Sequence, residues 1–554
     1  MRRPLNPALP HPPSPRPGTP GRRRRAVLSR PPRTVPRRAW GWAAAALACT
    51  LLWSSPAGAG PSDTGLKKEI DAILADARLD GGAAGVVVAD ATTGERLYRR
   101  DGGDRLMPAS NTKIATSVAA MDLLGPDHRW TTDVLATGSR QGSTLKGDLY
   151  LRGSGDPTLL AADYERLAAQ IAAAGVKRVT GRLLADDTAF DAERLGRSWA
   201  ADDESAYYSA GISALTLAPD TDYDAGTVVV EVAPGDRPGA RPRVRTVPAA
   251  DGVRVDVRAT TVAEGSPDTL SVGREHGSAT VTVSGSVPLG AATAKEWIAV
   301  QDPTGYATAV FADALAAHGV RVAGALRLGV PAPPGARVLA EHRSMPLKEV
   351  MHPFMKLSNN MHAEALVKTI GREEAGRGTW TAGLAAVRGA LAERGVRTET
   401  LRQTDGSGLS RMNLFPAEEL TGLLLSVRDA PWYADWHASL PVACAPDRAV
   451  GGTLRTRMCG TPAALNAGAK TGSLTGASAL SGYVTDAAGR ELVFSIVLNN
   501  YLASSVKGVE DAVVVTLASS DTAGGVIRAA TPPAARSAEP DTTVECSWRK
   551  PARC

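Results

Sequence analysis

Aromatic side chains make up only 5% of the 554 residues, and the chain holds just five cysteines and eight histidines. So few cysteines exclude a disulfide-dense scaffold. The histidines are dispersed, with no His-Glu-x-x-His and no Cys/His spacing of a zinc site, so neither a metal nor an organic cofactor is expected. Gly-x-Ser-x-Gly is absent, and no histidine is marked out as the base of a Ser-His-Asp triad. Beyond residue 59 no apolar run approaches the roughly 20 residues of a membrane-spanning helix.

Acidic residues are missing altogether from residues 1–59, which carry eleven arginines. Without them the formal charge of +6 becomes −5 for the remainder. A mildly acidic body has no global pull toward nucleic acid, whatever the full-length balance implies. The basic stretch reads as an address. Arginine clusters at Arg22–Arg25 and Arg37–Arg38 precede the apolar "AWGWAAAALACTLLW" and the small-x-small site Ala57-Gly58-Ala59, the pattern of a secretory signal segment. The expectation is an exported protein with peripheral or no membrane association; a retained signal anchor is the alternative. In an exported chain the four later cysteines are expected to pair. Neighbourhood favours Cys444–Cys459 and Cys546–Cys554, although three connectivities are formally open.

The pattern along the chain changes twice. "AAGVVVADATTGERLYRRDG" reads as a hairpin, and a helical segment from about residue 110 follows it. Mixed helix and strand signals come next, then purely alternating stretches from about 222 to 290, which read as a small all-β unit. Helical spacing dominates from about 340, and "ALNAGAKTGSL", "SALSGYVTD" and "ELVFSIVLNN" close the region as three strands. This order implies an α/β domain made of residues 62–128 and 340–530. A mixed and β-rich region, 129–339, is inserted into it, and a linker with a two-cysteine tail occupies 531–554.

Three short motifs carry the chemistry. Ser110 and Lys113 stand three apart at a predicted helix start, which puts both on one face. The same spacing recurs at Ser143/Lys146 and Ser504/Lys507, so it means little alone; only Ser110 fits a buried site, with Pro108 and Ala109 ahead of it and an apolar helix after it, whereas Ser143 lies in a turn before a strand and Ser504 follows one. Ser358-Asn359-Asn360 is the single Ser-x-Asn and Lys470-Thr471-Gly472 the single Lys-Thr-Gly of the chain. Taken singly, the former suits a helix N-cap and the latter an edge strand. In this order the three form the signature of active-site-serine penicilloyl enzymes. A serine hydroxyl needs a base to become a nucleophile, and a lysine serves only when desolvation or a nearby cation leaves it neutral. Lys113 is the expected base. Lys470 is expected to be the neighbouring cation or to bind a substrate carboxylate. Ser358 would relay a proton to the leaving amine, and Asn360 would hold the substrate amide. The strand edge Thr471-Gly472-Ser473 would align the peptide, and the backbone N–H groups of Ser110 and Ser473 would form an oxyanion hole.

Over about residues 65–525 the chain resembles the D-alanyl-D-alanine carboxypeptidase/endopeptidase family, the class C low-molecular-mass penicillin-binding proteins. Besides the three motifs, "LYLRGSGDPTL", "DDESAYYSAGISALTL", "DGSGLSRMN" and "GGTLRTRMCGTPA" carry the likeness. Asn359 and Ser473 depart from the family's frequent Asp and Thr at those places. The resemblance implies a penicillin-binding, β-lactamase-like domain, an antiparallel sheet flanked by helices, with the large insertion. It implies a serine DD-peptidase acting on peptidoglycan stem peptides, with β-lactams as covalent inhibitors. A family stretch whose aspartate binds the free amine of a stem-peptide diamino acid aligns here with Asp203, with Asp202 its neighbour. A serine β-lactamase and a non-catalytic penicillin-binding module are the rival readings. The first lacks an identifiable deacylating Glu, and the second would not need all three motifs.

Overall fold

The computed structural model describes residues 63–249 and 252–521. The expected signal segment, the C-terminal tail and the Cys546–Cys554 pairing lie outside the described residues. Five strands make the central sheet: β1 (Ala83–Asp90), β2 (Arg96–Arg100), β3 (Gly468–Leu474), β4 (Ala477–Thr485) and β5 (Glu491–Asn499), in the order β3-β4-β5-β1-β2. All neighbours are antiparallel. The first hairpin is thus completed by strands almost 400 residues later, with Ala83 opposite Asn499 and Asp90 opposite Leu492.

Both faces of this sheet are covered, which is why β1 and β5 read as near-continuous apolar runs. On one face Val87, Val493 and Val497 pack with Ile114, Phe354, Leu366 and Leu420. These come from α2 (Thr112–Leu123), α3 (Leu347–Lys356), α4 (Asn360–Ala375) and, beyond α5 (Trp380–Glu393), α6 (Ala417–Ser426). On the other face Val86, Val88, Phe494 and Ile496 pack with Ile70 of α1 (Asp63–Ile73) and Val509 and Val513 of α7 (Lys507–Ala518). A one-residue slip of β5 would exchange these two sets, so register is tightly specified. Every residue of α2 from Thr112 to Met121 is buried. Over this stretch the helix has no solvent face.

Residues 131–343 build their own core, with Val134, Leu151, Tyr164, Leu183, Val230 and Phe311 at its centre. Its two ends meet: Thr131–Ala136 pairs antiparallel with Arg337–Arg343. Helices Ala161–Ala173 and Pro303–Ala317 lie within it. The β-rich part extends past the alternating stretch, because Ala294–Ala299 pairs with Thr227–Ala233. "AKEWIA" escapes a period-two reading since its first four residues are partly exposed and only the last two buried.

Cys444 and Cys459 form the expected disulfide, with Cα atoms 4.9 Å apart. It closes the loop that leads into β3, where Ala443 N donates to Ala467 O at 2.9 Å. Among the described residues, no helix is long and apolar enough to cross a membrane.

Candidate active site

Ser110 lies in a 3-10 turn, Ala109–Asn111, that feeds directly into α2. The approach to this turn is clamped. The Asn499 side chain accepts from Met107 N at 2.6 Å and donates to Met107 O at 3.0 Å. Ala109 has φ +47°, a left-handed conformation that costs an alanine of order 1–3 kcal/mol and persists only where packing enforces it. Gly408 does so: a Cβ there would stand 1.9 Å from Ala109 O.

One turn on, the Lys113 ammonium donates to Ser110 Oγ at 2.8 Å, to Asn360 Oδ1 at 2.6 Å and to Ser407 O at 2.8 Å. The side chain is wholly buried. Burial pulls its pKa down to about 7, against the opposing charges of Asp405 and Glu364. Lys113 therefore exchanges its proton near neutrality while touching the serine hydroxyl.

The second motif bridges α3 and α4. Ser358 has φ +60°, and Asn359, not its neighbours, caps α4 by accepting from His362 N at 3.2 Å. Asn360 is the first residue of α4, and its amide donates to Tyr208 O at 2.7 Å. The third motif lies on β3. Lys470 is buried and donates to Ser358 Oγ at 2.8 Å. The Asn111 amide bridges Lys470 O and Ser481 Oγ, each at 2.8 Å. Burial, then the charge of Lys113, holds the Lys470 pKa well below its usual value. Desolvation, not Lys470, leads the fall at Lys113, and the like charges make it unfavourable for both ammoniums to be protonated together. Thr471 Oγ1 donates to Thr453 Oγ1 at 2.8 Å.

Ser110, Ser358, Asn360, Ser473 and Asp203 all line one cleft of about 420 Å³. Asp203 is half-buried and accepts from Tyr208 Oη at 2.8 Å, whereas Asp202 is exposed. Ser143 and Ser504 are exposed, as are Lys146 and Lys507. Lys507 nevertheless reaches the cleft from the start of α7.

Sequence reasoning missed the shell behind Lys113. Glu364 accepts from Gly406 N and Ser407 N, both at 2.8 Å, and from Trp380 Nε1 at 2.7 Å. Asp405 accepts from Gly408 N at 2.8 Å, Ser410 N at 2.6 Å, Asn413 Nδ2 at 2.7 Å and Trp199 Nε1 at 3.0 Å. The two buried carboxylates hold the loop 405–413 so that Ser407 O faces Lys113, and burial raises the pKa of both. The run "DGSGLSRMN" was the available signal, since an Asp followed by Gly, Ser and Asn marks a side-chain-organised turn.

Residues 66–520 match the model of the D-Ala-D-Ala carboxypeptidase 3 (S13) family, and the chain belongs to that family. Its activity class is accordingly D-alanyl-D-alanine carboxypeptidase. It is 48% identical over 480 residues to a D-alanyl-D-alanine carboxypeptidase of Actinomadura sp. (strain R39), an alignment covering 85% of this chain and 88% of that one. With D-alanyl-D-alanine carboxypeptidase DacB of Haemophilus influenzae the identity is 26% over 432 residues, 76% and 86% of the two chains. The crystal structure of penicillin binding protein 4 (dacB) from Haemophilus influenzae superposes with a TM-score of 0.70 at 25% identity, over 81% of this chain and 98% of that one.

Proposed function

We propose that the protein is an exported serine DD-peptidase. It would cleave the terminal D-Ala-D-Ala bond of peptidoglycan stem peptides, and the corresponding bond of cross-bridges, through an acyl-enzyme on Ser110. The observation that carries this reading is the Lys113–Ser110 contact at 2.8 Å with Lys113 poised near neutrality. Neutral Lys113 takes the hydroxyl proton as Ser110 Oγ bonds to the penultimate D-Ala carbonyl carbon. The oxyanion rests between the backbone N–H groups of Ser110 and Ser473. Collapse breaks the C–N bond, and the departing amine gains a proton through the Ser358 hydroxyl from the lysine pair. Water then enters by the same route in reverse and releases the acid.

Asn360 and the β3 edge at Thr471, Gly472 and Ser473 align the peptide, and Asp203 receives the free amine of a third-position diamino acid. Residues 62–128 and 340–530 form the peptidase domain, and 129–339 is an insertion in it. β-Lactams acylate the same serine, since their strained amide occupies the place of the scissile bond. Export is supported by the basic-then-apolar N-terminus and by the Cys444–Cys459 disulfide, which persists best outside a reducing cytosol. The test is release of D-Ala from a stem pentapeptide, and of monomer from a cross-linked dimer, by purified enzyme. Both activities are expected, and both should vanish in Ser110→Ala. Cleavage surviving in that variant would refute the mechanism; an inactive dimer assay alone would restrict the enzyme to carboxypeptidase work.

A further inference from the structure

A buried arginine of the inserted β-rich region packs against the stretch that borders the cleft. Arg274, at the end of the strand Ser271–Arg274, has a side chain only 3% exposed. Its guanidinium donates to Glu204 Oε1 at 2.9 Å, Glu204 O at 2.9 Å, Ala299 O at 3.0 Å, Gln301 Oε1 at 2.6 Å and Ser278 O at 2.8 Å. The Glu204 carboxylate also accepts from Gly277 N at 3.2 Å and pairs with His276. Next along the chain, Ala299 N donates to Ser205 O at 3.0 Å and Ala206 bridges to Ile298. Residues 204–206 are therefore stitched on both sides to the β-rich strands of the insertion.

The residues bounding that stitched stretch face the cleft. On one side Asp203 lines it; on the other Tyr208 ties its hydroxyl to Asp203 and its carbonyl to Asn360. The turn Ala201–Asp203 is short and largely exposed, with no side-chain cap of its own. What fixes it is the buried ion pair one residue later, because an arginine with its donors spread over five acceptors has little freedom to shift. Removing either member leaves a buried charge without its partner.

We propose that Arg274, acting through Glu204, is a positioning residue for the acidic subsite, so that the β-rich insertion tunes which stem-peptide side chain the enzyme prefers. This rests on the reading of Asp203 as the carboxylate that receives a free substrate amine. The experiment compares kcat/KM on a stem peptide with a free third-residue amine and on the same peptide acetylated there. Native enzyme, Arg274→Met, Glu204→Gln, Asp203→Asn and Arg274→Met/Asp203→Asn are measured, each titrated with penicillin so that rates refer to active sites. Native enzyme should prefer the free amine. Arg274→Met and Asp203→Asn should each lower that preference about tenfold, mainly through KM, and the double variant should fall no further than Asp203→Asn. Should Arg274→Met fail to fold, Glu204→Gln carries the same expectation.

Native preference retained in Arg274→Met or Glu204→Gln, while Asp203→Asn loses it, would overturn the positioning role and leave the subsite intact. A further loss on adding Arg274→Met to Asp203→Asn would likewise show that Arg274 acts elsewhere. Full preference in Asp203→Asn would overturn the subsite itself, and the proposal with it.

Discussion

Gly472 presses its backbone against Ser110: a Cβ on Gly472 would lie 3.1 Å from Ser110 N and 2.7 Å from Pro108 O. The strand proposed to align the peptide and the turn that carries the proposed nucleophile are therefore in direct backbone contact, and the two proposed oxyanion donors belong to the two sides of that contact. Gly472→Ala should push β3 away from the turn. A misplacement of about 1 Å at a reacting centre costs about 10²-fold in rate. Stopped-flow acylation by penicillin should show that order of loss, with unfolding in urea little changed. A variant that acylates at the native rate would mean that the donors do not depend on this contact.

The buried Lys113 predicts a pH profile with a definite sign. Burial lowers its pKa to about 7, so the neutral, basic form gains population as pH rises through 7 and is lost below it. Acylation rate should climb across this window and then level. Lys113→Arg keeps the charge but not the basicity. It should be nearly as slow as Lys113→Ala, about 10²–10⁴-fold below native, and its rate should no longer rise through neutrality. Substantial acylation by the Arg variant would make Lys113 an electrostatic residue and place the base elsewhere.

Asp405 accepts hydrogen bonds from three donors within the loop that presents Ser407 O to Lys113, and from Trp199 Nε1 outside it. Asp405→Asn removes the charge and turns half of the acceptor into a donor. It should cost ~2 kcal/mol in urea unfolding, in the range for hydrogen bonds to charged groups, and slow acylation as well. Native stability with native acylation would show that the loop is held without it.

The three motifs were legible because each is local: Ser110 and Lys113 lie on one turn, Ser358 and Asn360 flank one cap, and Lys470 to Ser473 share one strand. Their meeting was legible only through the resemblance, since 247 residues separate Lys113 from Asn360 and 112 separate Ser358 from Lys470. The central sheet could be read because strands buried on both faces leave continuous apolar runs. Asp405 was legible only as the start of a side-chain-organised turn, and Glu364 was not legible at all. A Glu within a helix usually marks a solvated face, and only the fold reveals that this one is buried against backbone N–H groups. The strand Ala294–Ala299 was missed for a related reason, as its side chains follow a local packing surface and not a period of two.

The disulfide offers a test of stability apart from chemistry. Cys444 and Cys459 close a loop with a sequence separation of 15 residues. In the chain-entropy model such a loop is worth ~3 kcal/mol. Cys444→Ser/Cys459→Ser should unfold at correspondingly lower urea concentration. Native stability would show that packing around Ala443 and Leu454 suffices without the cross-link.

Intact-mass spectrometry after penicillin treatment, with the modified peptide mapped, addresses the central assignment directly. A single penicilloyl adduct on the peptide containing Ser110, absent from Ser110→Ala, is the predicted result. An adduct on the peptide containing Ser143 or Ser504, or labelling that persists in Ser110→Ala, would contradict it.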